Sequence, residues 1–274
     1  MLFVFAAKRP VLSVIEGIIS TLFLKIIYCN IKHLIIRMSI SGFVIILFLL
    51  SFEIFSQADT INFDSYRVIF SPVNIYVTDI NDDTIYTMNY HNAYHLTADL
   101  DYSGTEELII IDSLSGSGYP EYILYLYVTD DFRFIDSLIS PVVEPYQAYT
   151  EDIESMLIVT GDDRFTDFLT GDIMQLPIIC WAFDGEYLVN VNNLVYDVFI
   201  SENDYLTDFI SENNRLKGEP CQVSISRLSA IVSVYVNYLN AGENSLAEQF
   251  INLFYLCEDK ELLKRRLISI YKNR

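Results

Sequence analysis

Three stretches recur along this chain at roughly fifty-residue intervals, each an aromatic or β-branched arm, an acidic turn and a second such arm. They are VNIYVTDINDDTIYTM (73–88), ILYLYVTDDFRFIDSL (123–138) and IICWAFDGEYLVNV (178–191). Arms rich in β-formers around Asn/Asp or Asp-Gly turns read as hairpins. Turns are expected near Asn81-Asp82, Asp130-Asp131 and, as a two-residue turn, at Asp184-Gly185. A repeat of this period is the mark of propeller-like or arrayed β-structure, in which each unit buries its apolar face against the next.

After Asn193 the spacing changes from alternation to a helical period. Val198, Tyr205 and Phe209 fall on one expected helical face. SISRLSAIVSVYVNYLNAG opens with serine capping candidates and ends at Gly242, a suitable residue to follow a helix. The last segment reads as two helices broken near Glu258-Asp259. Lys264, Arg265, Arg266, Lys272 and Arg274 lie in its final turns, where cations suit the helix dipole. The expected fold is mainly β, with antiparallel propeller-blade-like hairpin repeats and a small C-terminal α-helical subdomain of three or four helices. The expected divisions are an N-terminal targeting segment (1–58), an acidic β-repeat domain (59–197) and the helical subdomain (198–274).

The targeting reading rests on an 11-residue apolar core, Gly42 to Phe52, followed by Ser56-Gln57-Ala58. That core is short for a membrane span and right for a signal peptide, with small residues at −3 and −1 for cleavage before Asp59. Met38 is an alternative start. An uncleaved N-terminal anchor is the rival reading, and it is the one way this sequence would hold a membrane. No cysteine lies between Cys29 and Cys180, so a lipoprotein cysteine is missing. The product is thus expected to be periplasmic, secreted or in the outer envelope.

Charge narrows the partners. Between Asp59 and Ile200 there are 25 acidic residues against Arg67, Arg133 and Arg164, a net of −22. Such a surface repels phosphate backbones, which excludes nucleic acid. Cations, basic partners or plain solubility remain as explanations of the charge, and a protein or carbohydrate is the expected ligand. Cys180, Cys221 and Cys257 lack CxxC spacing, which argues against zinc. Export would permit one disulfide and leave one thiol, with the pairing open; the preferred reading makes all three small buried hydrophobes.

The stretch DLDYSGTEEL (99–108) carries the one candidate site. Polar groups fall on alternate residues around a glycine, and the apolar run LIII follows. Calcium takes six to eight oxygens, which such a turn supplies from side chains and a carbonyl. The twelfth loop position is Ile110, so this is not an EF-hand. The stretch resembles the calcium loop of FG-GAP and VCBS-type (integrin-like) β-propeller repeats, an Asp-x-Asp-x-Asp-Gly-x-x-Asp run feeding an apolar strand. That resemblance implies Ca2+ held by Asp99, Asp101, Ser103, Thr105 (through its carbonyl) and Glu107. Ser103 stands where the family has an acid, and Glu107 is one methylene longer than the usual Asp. A decayed copy is read at 159–168, with acids at Asp163 and Asp167 and with Gly161 in place of Asp101. A closed propeller needs more blades than this chain encodes, so a relative with few blades is implied.

Other chemistry is sparse. His91 and His95 with Asp99 could be drawn as a metal trio, but extended or turn backbone does not bring i and i+4 within reach of one ion as a helix does, and surface histidines are the preferred reading. SLSGSGYP (113–120) lacks the spacing of a nucleophile elbow and reads as a loop. Paired acids such as Asp162-Asp163 read as a solvated face. The alternating tyrosines of GYPEYILYLYV give one aromatic face, either core or binding surface. The expected protein is therefore exported and non-catalytic, of recognition or structural type. The competing expectation is a secreted, glycosidase-like hydrolase using acids of the β domain, with carboxylates about 5 Å or about 6.5–9.5 Å apart in a cleft.

Overall fold

A computed structural model describes residues 59–63, 65–71, 74–114, 118–150, 153, 155–170, 174–212 and 219–273. The targeting segment, 1–58, lies outside them. Twelve described strands form three four-stranded antiparallel sheets, each a meander of consecutive strands. Sheet 1 is β1 (Asp59–Asn62), β2 (Tyr66–Phe70), β3 (Asn74–Asp79) and β4 (Thr84–Asn89). Sheet 2 is β5 (Ala93–Ala98), β6 (Glu107–Leu114), β7 (Glu121–Val128) and β8 (Arg133–Pro141). Sheet 3 is β9 (Tyr146–Thr150), β10 (Ser155–Gly161), β11 (Ile178–Phe183) and β12 (Leu188–Asn190).

The three expected hairpins are β3–β4, β7–β8 and β11–β12, the same third and fourth strands of each meander. The sequence repeat is therefore a topological repeat. The first and third turns use an aspartate as a local acceptor. Asp79 Oδ1 takes the Asn81 and Asp83 amides at 2.8 and 3.0 Å, and Asp184 Oδ1 takes those of Glu186 and Tyr187 at 3.0 and 2.8 Å. These amides hold both carboxyls below the ordinary aspartate range. In the third hairpin Asp184 faces Tyr187 across the strands, so the bend falls at Gly185-Glu186, one residue later than expected.

The sheets stack face to face. Tyr66, Val68, Ile75 and Val77 of sheet 1 pack on Leu108, Ile110 and Tyr127 of sheet 2. Ile109, Ile111, Leu124, Leu126 and Leu138 leave the other face of sheet 2 for Ile158, Phe183 and Leu188 of sheet 3. The run LIII is continuous because β6 is covered on both faces. Tyr125 and Tyr127 point at sheet 1, so the aromatic face of β7 is core.

Beyond sheet 3 lie five described helices: α1 (Tyr196–Glu212), α2 (Pro220–Ser226), α3 (Leu228–Asn240), α4 (Asn244–Phe254) and α5 (Lys260–Lys272). Helix α1 buries Phe199, Asn203, Leu206 and Ile210, whereas Tyr205 and Phe209 are exposed. The expected face was displaced because the buried stripe includes a polar residue: the Asn203 amide donates to the Val234 carbonyl at 3.2 Å. Helix α3 is buried almost all round, as befits a central helix. It closes on Gly242 (φ +78°), with Gly242 N–H on Leu239 O and Glu243 N–H on Tyr238 O. The expected serine caps are not used. Ser224 and Ser226 lie within helix α2 and donate to the carbonyls of Pro220 and Val223. Cys221 and Cys257 are joined by a disulfide, and Cys180 is a buried thiol, which corrects the reading of three buried hydrophobes.

Candidate metal centre

The Asp99 loop joins β5 to β6, where Ala98 opposes Glu107 across the strands. Leu100, fully buried in the sheet 2–sheet 3 core, anchors the loop from below. Glu107 turns back beneath it: its side chain is buried, and Oε2 accepts the Leu100 amide at 2.8 Å. Asp99 Oδ2 accepts the Gly104 amide at 3.0 Å, and Asp101 Oδ1 accepts that of Ser103 at 3.0 Å. Tyr102 (φ +56°) and Gly104 (φ +92°) both take the left-handed conformation, which glycine adopts without a side-chain penalty.

One ligand atom each from Asp99, Asp101 and Glu107 lies within 4.8 Å of the others. Asp99 Oδ1 is buried and has no hydrogen-bond partner. Burial pushes the Glu107 carboxyl up to about 7, with the Asp101 and Asp99 carboxylates adding to the rise against the Leu100 amide. Three converging carboxylates with an oxygen lacking a donor fit a hard divalent cation, which would neutralise their repulsion and fill the missing contact. Ser103 is exposed, and its hydroxyl receives the Thr105 amide at 3.3 Å. The structure thus brings together the three acids of the five expected ligands as a cluster. Two further contributors come from sheet 3. A Cβ on Gly185 would stand 3.3 Å from Asp101 Oδ2, and Ser155 Oγ donates to the Leu100 carbonyl at 3.2 Å. Ser155 lies 55 residues from Leu100, and no local pattern in the sequence signals either residue.

The stretch read as a decayed copy is built differently. In sheet 2 the loop precedes the second strand, whereas 159–168 runs out of the second strand of sheet 3 into a 3-10 helix, Asp163–Phe168. Gly161 is there for space: a Cβ would stand 2.6 Å from the Pro141 carbonyl, where sheets 2 and 3 approach. Asp162 is buried and paired with Arg164, so the solvated-face reading of Asp162-Asp163 fails for its first member. Asp167 pairs with Arg266 at 2.8 Å.

The histidines do not converge on Asp99. Exposed His91 places Nδ1 3.2 Å from buried Asp112, which also accepts the His91 and Asn92 amides. His95 is half-buried, stacked on Phe70 with centroids 3.9 Å apart and Nε2 3.7 Å from Asp59. It is therefore a packed residue between sheets 1 and 2 rather than a surface one, and burial lowers its pKa. Of the loop SLSGSGYP, residues 115–117 lie outside the described residues. An open depression of about 590 Å³ lies elsewhere, over the disulfide, lined by Pro220, Tyr255 and Leu256 with Glu219, Glu258 and Asp259. No described helix is long and apolar enough to cross a membrane.

No known family model matches the chain, and no curated protein or solved structure matches it.

Proposed function

We propose that this chain is an exported, non-catalytic protein of recognition or structural type, built of propeller-blade-like sheets and stabilised by one Ca2+ in the Asp99 loop. The observation that carries the reading is the convergence of Asp99, Asp101 and Glu107 around the partnerless Asp99 Oδ1. Asp99, Asp101 and Glu107 supply the carboxylates, and the FG-GAP/VCBS resemblance adds the Ser103 hydroxyl and the Thr105 carbonyl. The ion would act as a clamp. It ties the start of β6 to a loop that Leu100, by packing, and Ser155, by a hydrogen bond, already fasten to sheet 3.

Three consecutive meanders stacked face to face support the blade-like reading. The Cys221–Cys257 disulfide supports export, since such bonds persist in oxidising compartments. A protein or carbohydrate is the partner class that the acidic surface admits, with nucleic acid excluded by charge. The competing hydrolase reading draws on the same cluster, because carboxyls about 5 Å apart also suit a retaining glycosidase.

Calcium titration of thermal unfolding tests the proposal. A weak extracellular-type site, about 0.1–1 mM, gains about 1.4 kcal/mol at ten times its dissociation constant. That raises Tm by a few degrees, with magnesium doing much less. Asp101→Ala should remove the calcium effect and leave the metal-free Tm unchanged or higher, because it relieves repulsion. Equal calcium shifts in both proteins would mean general screening and no site. Glycan hydrolysis lost in Glu107→Gln would establish the competitor instead.

A further inference from the structure

Met88 lies on β4, an outer strand of sheet 1, opposite Ile75 and on the face turned toward sheet 2. Three phenol oxygens surround its sulfur. Tyr90, Tyr127 and Tyr86 place their hydroxyls 3.0, 3.3 and 3.5 Å from Met88 Sδ, and the hydroxyls of Tyr86 and Tyr127 are 3.4 Å apart. Tyr127 comes from sheet 2, so the cluster spans the junction between the sheets. Phe132 stacks on Tyr127, with centroids 4.9 Å apart, and closes one side.

The arrangement is mismatched as it stands. A thioether is a weak acceptor, and here it faces three hydroxyl donors, two of them on buried tyrosines. A buried donor on a poor acceptor forfeits much of the energy of a hydrogen bond. Burial also raises the Tyr90 and Tyr127 pKa values, so both remain protonated donors at neutral pH. A single oxygen atom on the sulfur would supply a stronger acceptor than the thioether or the 3.4 Å contact between the Tyr86 and Tyr127 hydroxyls.

We propose that Met88 is an oxidation site, at which a peroxide converts the thioether to a sulfoxide whose oxygen is held by the hydroxyls of Tyr86, Tyr90 and Tyr127. A sulfur lone pair attacks one peroxide oxygen. The S–O bond forms and the O–O bond breaks. Sulfur is oxidised by two electrons, and the departing oxygen takes up a proton to leave as water or an alcohol. Met88 is half-buried and Tyr86 beside it is exposed, which gives a small peroxide an approach. Oxidation of a packed methionine ordinarily disrupts its surroundings. Here the sulfoxide joins β4 to sheet 2 through hydrogen bonds that the thioether makes poorly. The site is independent of the Asp99 loop and of the calcium proposal.

The test is hydrogen peroxide treatment of the folded full chain, with oxidation at each methionine read by peptide mass spectrometry and Tm read alongside. Met174, at 43% exposure, is the reference for oxidation governed by accessibility, and Met174→Leu removes its contribution. In the Met174→Leu background, Met88 should oxidise in the folded state with Tm unchanged or raised. The same oxidation in a Tyr86→Phe/Tyr90→Phe variant should lower Tm by roughly 2–4 °C. Should that variant fail to fold, near-ultraviolet tyrosine absorbance provides the second readout. Peroxide should shift it in the Met174→Leu protein and leave it unchanged in Met88→Leu/Met174→Leu. Met88 that oxidises only once the chain unfolds, a Tm loss as large with the tyrosines as without them, or a tyrosine spectrum blind to Met88 would each overturn the proposal.

Discussion

Sheet 3 gives its outer face to helices, whereas no described helix packs on the outer face of sheet 1, and the two strand compositions differ accordingly. On sheet 3, Leu157, Val159, Ile178 and Cys180 meet Val191, Val195 and Phe199. Because Ile158 and Phe183 fill the opposite face, its central strands are apolar over Met156–Val159 and Ile178–Phe183. On sheet 1, Thr60, Ile69, Tyr76 and Thr87 line up across the four strands on the face away from sheet 2. Burial alternates along its strands: Val68, Ile75 and Val77 are buried, whereas outward Arg67 and Thr87 are exposed and outward Ile69 and Tyr76 half-buried. A continuous apolar strand thus marks a sheet with neighbours on both sides, and an alternating one marks the end of a stack.

The strand edges differ too. The first half of β11 lies beyond its pairing with β12, and asparagine side chains take its backbone groups. Asn237 Oδ1 accepts the Ile178 amide at 3.0 Å, Asn240 Nδ2 donates to the Ile178 carbonyl at 3.3 Å, and Asn192 Oδ1 accepts the Cys180 amide at 2.8 Å. Helix α3 is therefore fixed to sheet 3 by directional bonds as well as by apolar contact. The sheet 1–sheet 2 junction relies on rings, including Tyr66 with Phe132 at 5.4 Å and Tyr90 with Tyr125 at 5.9 Å.

The largest expected contrast comes from truncating the helix-covered face. Phe199→Ala should cost about 3–5 kcal/mol in denaturant unfolding, because a fully buried ring leaves a cavity. Thr87→Ala, at an exposed position on the outward face of sheet 1, should stay within about 0.5 kcal/mol. Comparable losses would break the distinction between a covered and an uncovered end.

Between the two ends, the middle sheet carries a buried acid, and pH sharpens its cost. With a chelator present, Glu107 holds its proton up to about pH 7 when folded but loses it near 4.5 when unfolded. The folded form binds more protons in that window, so stability from this group is complete below pH 4.5 and falls until about pH 7, by roughly 3 kcal/mol. Glu107→Gln should flatten that slope, as should saturating calcium in the wild type. An unchanged slope in Glu107→Gln would assign the pH dependence to other groups.

The smallest effect concerns the asparagine bonds. Asn237→Ala should cost about 1–3 kcal/mol by leaving the buried Ile178 amide without its acceptor. Hydrogen exchange should accelerate at Ile178 and leave the β3 amides untouched. Uniform acceleration across both sheets would show that the asparagines act on global stability and not on the helix–sheet junction.

The amino-acid sequence by itself determined what depends on near neighbours. The three hairpins follow from β-forming arms around turn-forming aspartates, and the helix end at Gly242 follows from a glycine placed where the left-handed conformation is needed. The acidic loop was visible because its polar groups lie within one ten-residue stretch. Tertiary structure decided what depends on distant partners. It chose Phe199 and Asn203 over Tyr205 and Phe209 as the packed stripe of α1, since that choice needed sheet 3 and the Val234 carbonyl in place. It joined Cys221 to Cys257 and left Cys180 in the core, since proximity of thiols is set by how helices pack. It made Gly161 a point of close approach between sheets and brought Gly185 to Asp101. Turn and helix-end preferences act over a few residues, whereas burial is settled when whole faces meet, so the first can be read along the chain and the second only across it.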